Sequence, residues 1–249
     1  MFWKSARRTY AGVTVEDADI KKFRELSANF QIDVYKGIGG VIHDLGHRWV
    51  ASRTLPGKVL EIGFGVGRHA LFYSGDRQDY FVSEYSNVHF GSEHWREAHG
   101  RGIQCDARKL PFHDEAFRTV ISIYNLEHIS DLQQVFGEVH RVLAPDGKFL
   151  IALPCEGGLA WNLGRELTTR RVFQKKYGVN YDKIIAYEHV WDFRGVLNQL
   201  AQSGLFQITL KRFFPALLPS VNLNLIACIE CCKTPQSSSA EAAHNPISP

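Results

Sequence analysis

Apolar positions follow two different periods along this chain, and the change from one to the other divides it. Over residues 17–30 they recur at helical intervals (Ile20, Phe23, Leu26, Phe30), and residues 41–51 repeat the pattern. Gly37, Gly39 and Gly40 are expected to break the run between the two helices. At Val59-Leu60-Glu61-Ile62 the pattern shortens to a buried strand, bounded by Pro56-Gly57 before it and glycines after it. Strands are then predicted at 80–83, 103–105, 119–124 and 148–153. Helices are predicted from about Arg68, at 92–99 and at 131–143, the last with Leu132, Val135, Phe136, Val139, Val142 and Leu143 on one face.

Such alternation predicts a parallel sheet covered by helices on both faces. After a helix at 193–202, strands at 205–214 and 221–230 follow each other with only a Pro215–Pro219 turn between them. They must pair antiparallel, because a parallel pair needs a longer crossover. The expected fold is therefore α/β and doubly wound, a mostly parallel seven-stranded sheet closed by a C-terminal antiparallel hairpin. Residues 1–55 read as an N-terminal helical cap and 56–232 as the main domain. Within it, 155–192 is a long connection rich in Leu, Trp, Phe and Tyr, too long for an ordinary βα loop and expected to fold over a pocket. Residues 233–249, rich in Ser, Ala and Pro, read as a disordered tail.

Composition narrows the class only a little. The 249 residues carry 29 basic and 26 acidic side chains, a net charge of +3 that by itself implies no nucleic-acid partner. No secretory signal and no membrane-length apolar run stands out, and a cytoplasmic location is expected. Five cysteines, an odd number, make no disulfide framework. Cys228-x-x-Cys231-Cys232 lies in a strand-like run, so packing is its default reading and no metal is assigned.

The strongest chemical signal is Glu61-Ile62-Gly63-Phe64-Gly65-Val66-Gly67, a buried strand running into a turn with three alternating glycines. Bare Cα positions let a ligand approach the backbone, and the N–H groups of a following helix would add positive potential. A dinucleotide fingerprint would place its third glycine at position 68, where Arg68 stands. The chain instead resembles the class I S-adenosylmethionine-dependent methyltransferases, of the small-molecule type 11-like subfamily, with a Rossmann-like fold. Three further segments carry the resemblance: Glu84-Tyr85 after the second strand, Asp106-Ala107 after the third, and Tyr124-Asn125-Leu126-Glu127-His128 after the fourth.

The resemblance implies S-adenosylmethionine as cofactor, held by Glu61, Gly63, Phe64, Gly65, Gly67, Glu84, Tyr85, Asp106, Ala107 and Tyr124. Glu84 would accept from the ribose hydroxyls and Asp106 from the adenine amino group. Tyr124 and Phe64 would present aromatic faces near a sulfonium. His128 is the first candidate general base and His189 the second. The expected partner is a small-molecule acceptor with an O or N nucleophile; nucleic acid and membrane are not expected, and oligomeric state is unreadable. Two readings stay open beside this one. Arg165, Arg170, Arg171, Lys175 and Lys176 suit an RNA-modifying enzyme, and a non-catalytic scaffold would keep the same motifs.

Overall fold

The computed structural model describes residues 12–34, 37–86 and 101–235. Its helices are α1 (Ala18–Val34), α2 (Gly37–Arg53), α3 (Leu132–Val142), α4 (Leu159–Leu167), α5 (Thr169–Tyr177), α6 (Tyr181–Glu188) and α7 (Phe193–Ser203). Its strands are β1 (Val59–Ile62), β2 (Tyr80–Glu84), β3 (Gly102–Gln104), β4 (Phe117–Ile123), β5 (Leu143–Pro154), β6 (Phe206–Phe214) and β7 (Ile226–Lys233). They form one seven-stranded sheet in the order β3-β2-β1-β4-β5-β7-β6. The first five strands are parallel, and β7 runs antiparallel to both β5 and β6.

Each face of the sheet is buried for a reason visible in the chain. All four residues of β1 are buried, as a strand covered on both sides must be. On one face, Val135, Phe136 and Val139 of α3 and Val196 and Leu200 of α7 pack onto Leu60, Val120 and Phe149. On the other, Val50 of α2 meets Val59, Ile121, Leu150 and Cys228. The side chain of Asp131 caps α3 by accepting from Gln134 N at 3.2 Å, and Asp192 caps α7 through Gly195 N at 2.7 Å. All five cysteines are free, with Cys228 and Cys231 buried in β7.

Four expected elements differ. The helix expected from Arg68 is a single 3-10 turn, Arg68–Leu71, cut short by Ser74-Gly75. Gly39 and Gly40 lie inside α2, and only Gly37, at φ +65°, marks its start. The break expected at 144–147 is an irregularity within β5: Phe117 pairs with Leu143, and two residues later Thr119 pairs with Lys148. Finally, β7 begins at Ile226, because Asn224 locks the preceding segment as a turn. Asn224 accepts from Ala216 N (2.8 Å) and donates to the carbonyls of Leu218 (2.7 Å) and Ser220 (2.9 Å). The helix expected at 92–99 and most of the expected tail lie outside the described residues.

Candidate active site

Sheet order reverses between β1 and β4, and beyond the C-terminal ends of an open α/β sheet such a switch point leaves a crevice. A cavity of about 980 Å³ opens there. It is lined from the sheet by Gly63–Val66, Glu84–Ser86, Asp106–Arg108 and Tyr124–Asn125, and from above by α1, α2 and the 155–192 segment.

The glycine loop is shaped for close approach. Gly63, Gly65 and Gly67 all hold positive φ (+75°, +54° and +79°). A Cβ on Gly63 would stand 2.2 Å from the Asn125 side chain, so glycine is required there for space as well as for conformation. The N–H groups of Gly63 and Phe64 both donate to Ser83 O, tying the loop to the end of β2 (2.9 and 3.1 Å). With no long helix following, positive potential at the loop does not come from a helix terminus. Its Gly65 N–H instead donates to Glu84 Oε2 at 2.8 Å, while Glu84 Oε1 accepts from Ser86 N at 3.0 Å. A carboxylate accepts about four hydrogen bonds, so Glu84 keeps capacity for two hydroxyls. Asp106 is more engaged: Arg108 grips both its oxygens at 2.6–3.1 Å and lowers its pKa. Ala107 lines the cavity, and Tyr85 stands 71% exposed at its mouth.

Two of the expected residues turn toward support. Glu61 is buried and receives the Tyr80 hydroxyl, and burial pushes its carboxyl up to about 8, so it is largely protonated beneath the loop at neutral pH. Phe64, only 3% exposed, packs edge-on to Tyr80. Tyr124 sits at φ +51°, unusual for a non-glycine residue, and donates from its hydroxyl to His43 O at 2.9 Å. That contact fixes α2 against the end of β4.

At the other end of the cavity the two histidines meet, His128 edge-on to His189 with ring centroids 4.7 Å apart. Val190 N and Trp191 N both donate to Glu127 O (2.8 and 3.1 Å), and His128 Nδ1 contacts Glu188 O at 3.1 Å, stitching the two segments together. His189 Nδ1 is paired with Glu156, a buried residue just past β5. Burial opposes charge on His189, but Glu156, Glu127 and Glu188 outweigh it and raise its pKa. His128 moves the other way, lowered by desolvation among its neighbours and by His189, although its side chain is 36% exposed. Burial raises Glu127 to about 7.

Glu156, Glu127 and Asn125 were not among the expected site residues. Glu156 and Asn125 each lie just past the C-terminal end of a sheet strand, as Asp106 does and as Glu84 does at the end of β2, and that position was the available signal. The basic segment is partly neutralised by its own carboxylates: Arg165 pairs with Asp182 at 3.0 Å, and Arg170 with Glu166 and Asp182. Arg171, Lys175 and Lys176 are exposed. Among the described residues, no group of three or more His, Cys, Asp or Glu is placed to hold a metal ion, and no helix is long and apolar enough to cross a membrane.

Comparison with known proteins gives this site a family. Residues 60–151 match the family model described as "Methyltransferase domain". Over 128 residues, 51% of this chain, the sequence is 41% identical to the sterol 4-C-methyltransferase of Caenorhabditis elegans, of which the match covers 32%. It is 34% identical over 99 residues to a ubiquinone/menaquinone biosynthesis C-methyltransferase of Desulfotalea psychrophila, covering 37% of this chain and 39% of that one. The chain thus spans well under half the length of these two curated relatives. A solved S-adenosylmethionine-dependent methyltransferase of Thermotoga maritima, described as a possible histamine N-methyltransferase, shares the fold. Its TM-score is 0.56 at 18% identity, over 86% of this chain and 99% of that one. Strand order, glycine loop and sequence model agree that residues 60–151 carry a methyltransferase domain of the class I, S-adenosylmethionine-dependent type.

Proposed function

We propose that this chain transfers the methyl group of S-adenosylmethionine to an O or N nucleophile on a small-molecule acceptor. The observation that carries the reading is convergence. Gly63–Val66, Glu84, Asp106, His128 and His189 come from different strand ends and loops yet line one cavity. Three left-handed glycines leave the backbone bare at positions 63, 65 and 67, and Glu84 retains acceptor capacity beside it. These features fit an adenosyl ligand. When bound, the cofactor supplies an electrophilic methyl on a sulfonium. Glu84 is assigned to the ribose hydroxyls, Asp106 and Ala107 to the adenine edge, and Tyr124 to the wall between cofactor and acceptor. His128 and His189 stand where a proton would leave the acceptor. Helices α4–α6 would exclude water and hold the acceptor in line, which is where most of the acceleration of a displacement arises.

A small molecule is favoured over RNA because the acceptor end is enclosed by Trp161, Phe173, Tyr181 and Ile184, and because Arg165 and Arg170 already hold carboxylates. Incubation with methyl-labelled S-adenosylmethionine and a metabolite extract tests the reading. Label in a small molecule, with equimolar S-adenosylhomocysteine, is expected. Label in RNA alone, or none anywhere, contradicts it.

A further inference from the structure

Within that proposed function, the acceptor end contains a device that a nucleophile able to shed its proton after attack does not need. His189 is close to fully buried, with 11% of its side chain exposed, and lines the cavity. Its Nδ1 is held by Glu156, whose side chain is 6% exposed. A carboxylate on Nδ1 fixes the tautomer with the proton there and leaves the Nε2 lone pair available. The backbone contacts of Val190 and Trp191 to Glu127 O clamp the chain just after the ring. His128 packs edge-on against it, limiting its rotation.

We propose that Glu156 and His189 form a proton-accepting pair, with His189 the general base and Glu156 its positioning residue, and that the acceptor is therefore a hydroxyl. A neutral amine attacks through its own lone pair and can shed a proton afterwards. A hydroxyl must lose its proton as the bond to carbon forms. In the step assigned here, the acceptor O–H bond breaks and its proton passes to His189 Nε2. Oxygen forms the new bond to the methyl carbon, and the carbon–sulfur bond breaks with its electron pair left on sulfur. The positive charge lost by the sulfonium reappears on the imidazolium, which Glu156 stabilises. The proton then leaves to solvent through the open side of the cavity.

Other titratable groups face the pair: Glu127 and His128 after β4, Glu188 at the end of α6, and Tyr181 at its start. Their carboxylates reinforce Glu156, so His189 is poised as a base above the ordinary imidazole range. The neutral ring is the active form, so turnover rises with pH through its pKa. Replacing Glu156 with Gln should move that rise to lower pH and reduce the plateau.

Acceptor acidity separates a base from a merely structural ring. Phenol and 4-nitrophenol are offered as probes with S-adenosylmethionine to the wild type, His189→Gln and Glu156→Gln, with benzylamine as the amine probe. S-adenosylhomocysteine binding checks each variant's fold. The pair predicts that His189→Gln loses phenol methylation at least about 100-fold, within the usual range for a general base. The variant should keep 4-nitrophenol methylation within about tenfold, because that phenol ionises unaided, and Glu156→Gln should fall between. Equal losses on both phenols would overturn the proposal. So would benzylamine as the preferred acceptor with turnover unaffected by His189→Gln, or wild-type protein that binds S-adenosylhomocysteine but methylates neither phenol. Failure to bind S-adenosylhomocysteine at all would count against the methyltransferase reading itself.

Discussion

At Gly63 backbone and side-chain demands coincide: φ is +75°, and a Cβ would stand 2.2 Å from Asn125. Gly63→Ala should therefore destabilise the fold by about 1–3 kcal/mol, the usual cost of a strained backbone residue, and abolish cofactor binding. Urea unfolding and a binding titration check both effects. Glu84→Ala removes the acceptor for Gly65 N–H together with the residue assigned to the ribose, so it should weaken binding more than Asp106→Ala, whose carboxylate Arg108 already occupies. A titration in which Asp106→Ala weakened binding more would reverse those assignments. The glycines, Glu84 and Asp106 were legible because each ends a strand in a recognisable series. The inward use of Glu61 was not, since nothing local to it announces that Tyr80, in the neighbouring strand, delivers a hydroxyl to it.

Helix α2 is more than a cover for the sheet. Its Asp44 takes Arg68 in a two-point contact (2.7 and 3.0 Å), and His47 stacks on Phe72 and His69 with centroids 5.6 Å apart. His69 is buried with no hydrogen-bond partner at either ring nitrogen among the described residues, and burial lowers its pKa from 6.5 to about 3. A histidine kept neutral in the fold supports stability fully above the unfolded value. That support is lost as pH falls from 6.5 toward 3, where the unfolded chain binds the proton that the folded chain refuses. Buried Glu61 has the opposite sign, its contribution fading as pH rises from 4.5 through about 8. Urea midpoints should thus decline on acidification below 6.5, and His69→Leu should flatten that decline; an unchanged slope would show that His69 is not the titrating group. The apolar period revealed α2 and α3, whereas the turn cut short at Ser74-Gly75 and the late start of β7, set by the side-chain bonds of Asn224, leave no mark in that period.

Across the whole molecule, the sheet carries the cofactor end of the cavity, and α1 with α4–α6 closes the acceptor end. Ile20 of α1 packs against Phe173, Val179 and Ile184, which joins the N-terminal region to the 155–192 segment. Phe173→Ala should leave S-adenosylhomocysteine affinity within about threefold but cut methyl transfer more than tenfold, because the cap orders the acceptor and keeps water out. Equal losses in both would mean that cap and cofactor loop are not separable. The mostly parallel seven-stranded sheet and its antiparallel C-terminal hairpin could be anticipated from the alternating periods and the short Pro215–Pro219 connection. The meeting of His128, His189 and Glu156 could not, because three segments 28 to 61 residues apart converge only once the cap folds. Calorimetric titration with S-adenosylhomocysteine, with NADH alongside, tests the central claim most directly. Saturable micromolar binding of the adenosyl ligand, lost in Gly63→Ala and weakened in Glu84→Ala, is the predicted result. Binding of NADH in its place, or adenosyl binding indifferent to both substitutions, would contradict it.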